Sequence, residues 1–332
     1  MAQDIIAKLK ESKLLGRSGS GFPTGFKWEM VKNEKAVKKY IVCNAASGEP
    51  KVMKDEYLLE NHAQEVVEGI KIALETFENS EAFIYLRKDF YAKFKDNLTE
   101  LTKGLPITLI KKQGGYLAGE ETCLCEAIEE KTPEPRIKPP FPTQAGLFGR
   151  PTLINNAETF YHISQIAQNK YKNTRFYTIG GQVKKKGVFE MPADWPIERV
   201  LKETGNWPKF DFFAQVGGGA SGEILLPDEL QKPAGGTGAI IIYEKKKTQC
   251  LKLMKEWAQF FLEQNCDKCT PCREGVFRIN EMLGKGKIDE KTLQDIVNNL
   301  KEASFCGLGK IAGIPFSRFA NKICKSLLTE KK

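Results

Sequence analysis

A chain of 332 residues with 41% hydrophobic residues is long enough for two or three domains and can bury real cores rather than remain disordered. No apolar run approaches the length of a membrane span or the core of a signal peptide, so a soluble, cytoplasmic chain without direct membrane insertion is expected. The net charge of +9 comes from scattered lysines with short runs at residues 184–186 and 245–247, and no nucleic-acid motif accompanies them. Solvated faces are the first expectation for these runs, and docking to an acidic partner is the second.

Residues 4–14 carry apolar positions at helical spacing, and residues 16–25 then form a glycine-rich loop punctuated by Pro23. Residues 39–43 (K-Y-I-V-C) predict a strand. The spacing of Leu58, Val66, Val67, Ile70 and Ile72 predicts one helix over about 55–78. A second strand is expected at 82–86 (A-F-I-Y-L), followed by an amphipathic helix to about Lys103. Strands alternating with helices indicate an α/β domain with a mostly parallel sheet. From about Thr174 the texture changes to short strands, a turn at Gly187, a helix over 197–203, a glycine run from Gly217 and a strand at 239–243, which predict a small β-grasp-like module. Helical patterning dominates beyond Gln249. The expected division is therefore 1–170, 174–245 and 250–332.

Nine cysteines, most of them toward the C-terminus, favour metal ligation over a disulfide framework. Cys266, Cys269 and Cys272 stand in the order C-x2-C-x2-C, and Cys306 follows downstream. Thiolates at this spacing can take three corners of a cubane, and a fourth brought in by folding completes a [4Fe-4S] site. Structural zinc on the same four sulfurs is the rival, although zinc more often pairs two C-x-x-C knuckles. Cys43, Cys123, Cys125, Cys250 and Cys324 lack such spacing and are expected to be packed thiols, with Cys324 a lesser alternative to Cys306 as fourth ligand.

The loop G-R-S-G-S-G-F-P-T-G at 16–25, followed by Lys27 and Trp28, offers closely spaced backbone amides and an adjacent cation, suited to a phosphate or flavin. G-Y-L-A-G-E-E-T at 115–122 places two carboxylates in a turn that starts a helix, where they can accept from ribose hydroxyls or simply decorate the helix N-terminus. K-P-P-F-P at 138–142 and N-N-A-E-T at 155–159 complete the set.

In combination these motifs resemble those of the NADH-binding FMN subunit of respiratory complex I, a family also found in NAD-linked hydrogenases and formate dehydrogenases. The family pattern reads G-R-G-G-A-G-F-P-T-G-x-K-W, N-A-D-E-x-E-P-G, G-x-Y-x-x-G-E-E-T, K-P-P-F-P, N-N-x-E-T and C-x-x-C-T-P-C-R-E-G, and the match runs over roughly residues 14–325. The resemblance implies a Rossmann-like FMN/NADH-binding domain, a β-grasp-like SLBB domain and a C-terminal helical bundle holding a [4Fe-4S] cluster. It implies that Gly16, Gly19, Gly21, Lys27, Asn44, Tyr116, Gly119, Glu120, Asn155 and Asn156 surround FMN. Phe22, Glu49, Glu121, Lys138 and Phe141 would face NADH, with Glu49 near the nicotinamide. Cys266, Cys269, Cys272 and Cys306 would be the cluster ligands. The implied activity is NADH dehydrogenase, with hydride passing to FMN and single electrons to the cluster. The implied partners are a thioredoxin-like [2Fe-2S] subunit and a larger iron-sulfur subunit.

The sequence departs from the pattern where the flavin is expected. Ser18 replaces a glycine, Ala46 and Ser47 replace an Asp-Glu pair, and Lys51 replaces a glycine. These changes make the site more positive, which would favour electron-rich flavin states. They also support a rival reading, a docking and relay protein without FMN or NADH that receives electrons from a donor such as a ferredoxin. Membership of the related RnfC-like proteins would require two ferredoxin-type cysteine clusters, and one is present. His62 and His162 are expected to be structural, since hydride transfer needs no side-chain base.

Overall fold

The computed structural model describes residues 5–329 and separates into two compact units. The first takes in the chain to Gly48 together with Val52–Tyr177 and Val188–Asp194; the second holds Glu49–Lys51, Thr178–Gly187 and the chain from Trp195.

The first unit begins with α1 (Ile5–Glu11) and, after the glycine loop, α2 (Thr24–Asn33). Asp4, the expected first residue of α1, lies outside the described residues. There follow β1 (Lys39–Ala45), α3 (Lys54–Asn61), α4 (Ala63–Thr76), β2 (Ser80–Leu86), α5 (Lys88–Leu101) and β3 (Ile107–Lys111). Then come α6 (Glu121–Ile128), α7 (Pro142–Ala145), β4 (Thr152–Asn156) and α8 (Ala157–Ala167). The single helix expected over 55–78 is thus two, broken at His62, whose φ of −140° and ψ of 27° lie outside the helical well. Periodicity did not reveal the break, because the apolar positions of both helices reach the same core.

All strands of the first sheet run parallel, in the order β3–β2–β1–β4. One face packs Ile41, Cys43, Ile84 and Leu153 against Trp28, Leu58, Val66, Ile70 and Phe160. The other packs Val42, Tyr85 and Ile154 against Leu124, Cys125 and Leu147. Burial on both faces explains why β1 and β2 read as continuous apolar runs rather than alternating ones. The order reverses at β1, which has β2 on one side and β4 on the other, and this switch opens a crevice at the carboxyl ends of those strands.

The chain continues through β5 (Thr174–Gly181), β6 (Gly187–Pro192), α9 (Ile197–Glu203), β7 (Phe212–Val216), β8 (Glu223–Leu225) and β9 (Ala239–Glu244), in a mixed sheet of order β6–β5–β9–β7–β8. The helical C-terminal region comprises α10 (Cys250–Gln264), α11 (Thr270–Gly284), a short β10 (Ile288–Asp289), α12 (Glu290–Ala303), α13 (Gly307–Ala312), α14 (Ile314–Lys322) and β11 (Leu328–Thr329), which pairs with β10. Trp257, Phe261, Phe316 and Phe319 fill its core. The expected α/β class, with a parallel sheet and a helical C-terminal region, is what the chain adopts.

Candidate flavin, nucleotide and cluster sites

Asn44 lies near the carboxyl end of β1 and pairs in register with Asn156 at the end of β4, while Cys43 pairs with Asn155. Three of the expected flavin residues therefore stand at the switch point itself. Asn44 donates to the Gly119 carbonyl at 2.9 Å and accepts from the Ala46 amide at 3.3 Å. Asn156 caps α8, accepting from the Thr159 amide and hydroxyl. With its amide turned to satisfy both neighbours, Asn155 accepts from Trp28 Nε1 at 3.0 Å and donates to the Ile154 carbonyl.

The glycine loop is closed by hydrogen bonds from the Gly16 amide to the Phe22 carbonyl and from the Thr24 amide to the Leu14 carbonyl. Gly19 and Gly21 take φ of 130° and 63°, which only glycine adopts freely, and a Cβ on Gly21 would meet nothing within 4 Å. Ser18 is not among the residues of positive φ, so its replacement of a glycine costs no backbone strain. A buried ion network holds the loop from beneath. Lys54, 1% exposed, donates to the Arg17 carbonyl at 2.5 Å and to Glu158, 0% exposed, at 2.7 Å, while the Arg17 amide donates to Thr159. Burial alone would raise the Glu158 carboxyl, but Lys54, His162 and Arg175 outweigh it and hold it well below the ordinary carboxylate range. Burial lowers the affinity of His162 for a proton, consistent with a structural role.

Lys27, just inside α2, donates to the Ile154 carbonyl at 3.2 Å and stands 3.8 Å from Glu121. Lys138 donates at 2.9 Å to both Glu120 and Glu121. Four expected residues thus form one charged group at the start of α6. The helix-N-terminus reading of the glutamates applies to Glu120, whose other oxygen caps α6 through the amides of Thr122 and Cys123. Burial opposes the Glu120 charge, yet Lys138 and the Thr122 hydroxyl outweigh it and keep the carboxyl below its ordinary value. Tyr116 and Gly119 belong to the turn immediately before this cap, and Phe22 and Phe141 are 43% and 46% exposed, available to a planar ligand.

Glu49 falls in the second unit. One carboxylate oxygen accepts from the Ala220 and Ser221 amides and the Ser221 hydroxyl, each at 3.0 Å, and the other has no partner among the described residues. Lys51, also there, takes a φ of 63°, the left-handed conformation that suits the glycine it replaces, and its ammonium donates to the Tyr243 hydroxyl.

Where the family pattern has two acids, the backbone of Ala46 and Ser47 is gripped by charged side chains from α3 and from the segments that follow β2 and β3. Arg87 donates to the Ser47 carbonyl, Asp55 accepts from the Ser47 amide, and Lys112 donates to the carbonyls of Ala46 at 3.2 Å and Tyr116 at 3.4 Å. Burial, and secondarily the Arg87 guanidinium, pull the Lys112 ammonium down to about 8. Lys112 was missed in the sequence; its only signal was a lysine pair at a strand end just before a glycine turn.

In the second unit Cys266 lies in the loop after α10, Cys269 caps α11, Cys272 sits in its first turn and Cys306 caps α13. The Cys272 thiol is pushed up to about 12, first by burial and then by Cys269, Cys306 and Cys266, so the other three lie within electrostatic reach of Cys272. Gly309 permits this closure: a Cβ there would stand 2.6 Å from the Ser304 Cβ and 3.2 Å from the Cys272 Cβ. Among the described residues no three His, Cys, Asp or Glu side chains close on a single metal ion. Three cysteines that bear on a fourth supply the four thiolates that a [4Fe-4S] cubane takes.

Cys43, Cys123 and Cys125 are buried free thiols, as expected. Cys250 and Cys324 are not: they form a disulfide that ties the start of α10 to the residue after Ile323, which also removes Cys324 as a candidate ligand. Their 74-residue separation gives no local cue to the pairing.

Residues 9–165 match the Nuo51 FMN-binding domain family and residues 252–326 the NADH-ubiquinone oxidoreductase-F iron-sulfur binding region. The chain is 32% identical to the F subunit of the NADH-quinone oxidoreductase of Streptomyces coelicolor, over 94% of this chain and 79% of that protein. It is also 32% identical to the alpha subunit of the NAD-reducing hydrogenase HoxS of Cupriavidus necator, over 94% of this chain and 58% of that one. A crystal structure of an air-oxidised NAD+-reducing [NiFe]-hydrogenase superposes with a TM-score of 0.90 at 26% identity, covering 99% of this chain and 63% of the hydrogenase chain. The chain thus spans less than two thirds of these hydrogenase polypeptides but most of the quinone oxidoreductase protein. It belongs to the family of NADH-quinone oxidoreductase F subunits, the oxidoreductase proteins that oxidise NADH and carry FMN and a [4Fe-4S] cluster within multi-subunit complexes.

Proposed function

We propose that this chain is the electron-entry subunit of its complex, taking hydride from NADH at the crevice of the first sheet and releasing single electrons through the Cys266, Cys269, Cys272 and Cys306 site. The observation that carries this is the convergence of Asn44, Asn155 and Asn156 at the strand switch point, with Lys27, Glu120, Glu121 and Lys138 gathered around the start of α6. Bound FMN supplies hydride acceptance and the bound cluster one-electron exit. The protein supplies position and charge. The loop amides between Gly16 and Gly21, followed by Lys27, suit the flavin phosphate, while Asn44, Tyr116, Gly119, Glu120, Asn155 and Asn156 border the rest of FMN. Phe22 and Phe141 offer apolar faces to the nicotinamide nucleotide, and Glu121, steadied by Lys138, accepts from ribose hydroxyls. Glu49 serves the nicotinamide end.

The domain division 1–170, 174–245 and 250–332 follows the same reading. So do a thioredoxin-like [2Fe-2S] partner and a larger iron-sulfur partner, since the electrons must leave the chain. No helix among the described residues is long and apolar enough to cross a membrane, and a cytoplasmic site peripheral to the membrane through the host complex is proposed.

The test is an absorbance spectrum of anaerobically purified protein before and after NADH, with extracted flavin and iron quantified. Stoichiometric FMN that bleaches on adding NADH is expected. Iron-sulfur absorption without flavin, and no response after FMN is supplied, would overturn the proposal in favour of a relay protein that takes electrons from another donor.

A further inference from the structure

Lys112 follows β3 at the same carboxyl edge of the sheet as Asn44 and Asn156. It is 7% exposed, no carboxylate pairs with it among the described residues, and the one charged neighbour that bears on it, Arg87, carries the same sign. A buried cation in this position is costly unless its donors are used. An ammonium group has three N–H donors; two go to the carbonyls of Ala46 and Tyr116, which leaves one uncommitted among the described residues. The Nζ atom lies 3.7 Å from where a Cβ would stand on Gly48 and 3.7 Å from the equivalent point on Gly119. It is therefore set within a ring of Ala46, Gly48, Tyr116 and Gly119, which Asn44 closes by donating to the Gly119 carbonyl. With Ala46 and Ser47 in place of two acids, neither side chain can neutralise it.

We propose that Lys112 is a flavin-binding residue that donates its third hydrogen to bound FMN and favours the reduced, more electron-rich flavin over the oxidised one. This rests on the flavin reading of the crevice given above. The physical basis is direct: a positive charge held in a low-dielectric wall stabilises added electron density more than it stabilises the neutral ring. Lys51, the cation that the sequence alone suggested for this effect, is bonded instead to Tyr243.

The test uses the full-length chain and measures dissociation constants for oxidised and reduced FMN in the wild type, Lys112→Met and Lys112→Arg. Lys112→Met is expected to reduce the preference for reduced FMN at least tenfold, equivalent to a fall of about 30 mV in the two-electron midpoint potential. Lys112→Arg is expected to stay within threefold of wild type. An unchanged preference in a Lys112→Met chain that still binds FMN would overturn the inference and leave the flavin reading standing. A folded, iron-loaded wild type that binds no FMN overturns both. A second measurement needs no variant: acylation of Lys112 in the wild-type chain, read by peptide mass spectrometry against exposed Lys184, should slow at least tenfold when FMN is added. Equal rates with and without FMN would again refute the contact.

Discussion

The crevice of the first unit and the thiol site of the second follow opposite electrostatic plans. Around the crevice, charges largely meet opposite ones: buried Lys54 meets Glu158, and half-buried Lys138 meets Glu120 and Glu121. At the thiol site burial, the other three cysteines and Asp267 all push the Cys272 thiol in the same direction. A region whose charges satisfy one another can form before its ligand arrives. A group of buried thiols becomes thiolate only when a metal supplies the compensating charge, so binding and local folding are coupled there.

The largest expected effect is at the thiols. Cys269→Ser or Cys272→Ser should abolish cluster iron and reduce the protection of α10–α14 from proteolysis at least 100-fold, while the first unit keeps its resistance. Extracting FMN should leave both units protected. Undiminished protection of the helical region after the cluster is lost would break the comparison. Next comes the network beneath the glycine loop. Lys54→Met leaves Glu158 buried without its ammonium and should cost about 3–5 kcal/mol in urea unfolding, with much of the loss recovered in Lys54→Met/Glu158→Leu. The sign with pH follows from the Glu158 carboxyl being held below its ordinary value. Its contribution is complete above about pH 5 and drains as pH falls below the unfolded value near 4.3, so Glu158→Gln should flatten the acid limb of the stability curve.

Within the second unit the disulfide offers a sharper contrast, because it cross-links the helical region and none of the four expected cluster cysteines takes part in it. Cys250→Ser should cost about 2–4 kcal/mol of its stability and leave iron content unchanged. Iron lost together with the disulfide would mean that the two cannot be treated separately.

The legible parts of the molecule were those written in local spacing. Alternating apolar strands and helices gave the parallel sheet, the helix at 197–203 fell where its spacing predicts, and three cysteines two residues apart marked the thiol site. Glu120 and Asn156, both expected at the site from their motifs, prove to be helix caps, which is why they stand at element boundaries. What escaped depends on distant partners. The break at His62 has no glycine or proline to announce it, the Cys250–Cys324 pair spans 74 residues, and Lys112 looks like any surface lysine until β1 and β3 bring Ala46 and Tyr116 onto it. Burial of a charge is a property of the fold, so a lysine run cannot report it.

The smallest effect separates two adjacent carboxylates. Glu120 accepts from two α6 amides, so Glu120→Ala should cost about 1 kcal/mol of stability, the usual worth of a cap. Among the described residues Glu121 makes no such bond; its contacts are with Lys138 and Lys27. Glu121→Ala should therefore leave stability within about 0.5 kcal/mol of wild type. On the proposed ribose contact, it should also narrow the preference for NADH over NADPH by about tenfold in kcat/KM, because a 2′-phosphate would no longer meet a carboxylate. The opposite pattern, with Glu121→Ala unfolding the chain and Glu120→Ala changing nucleotide preference alone, would exchange the two roles and move the ribose contact from Glu121 to Glu120.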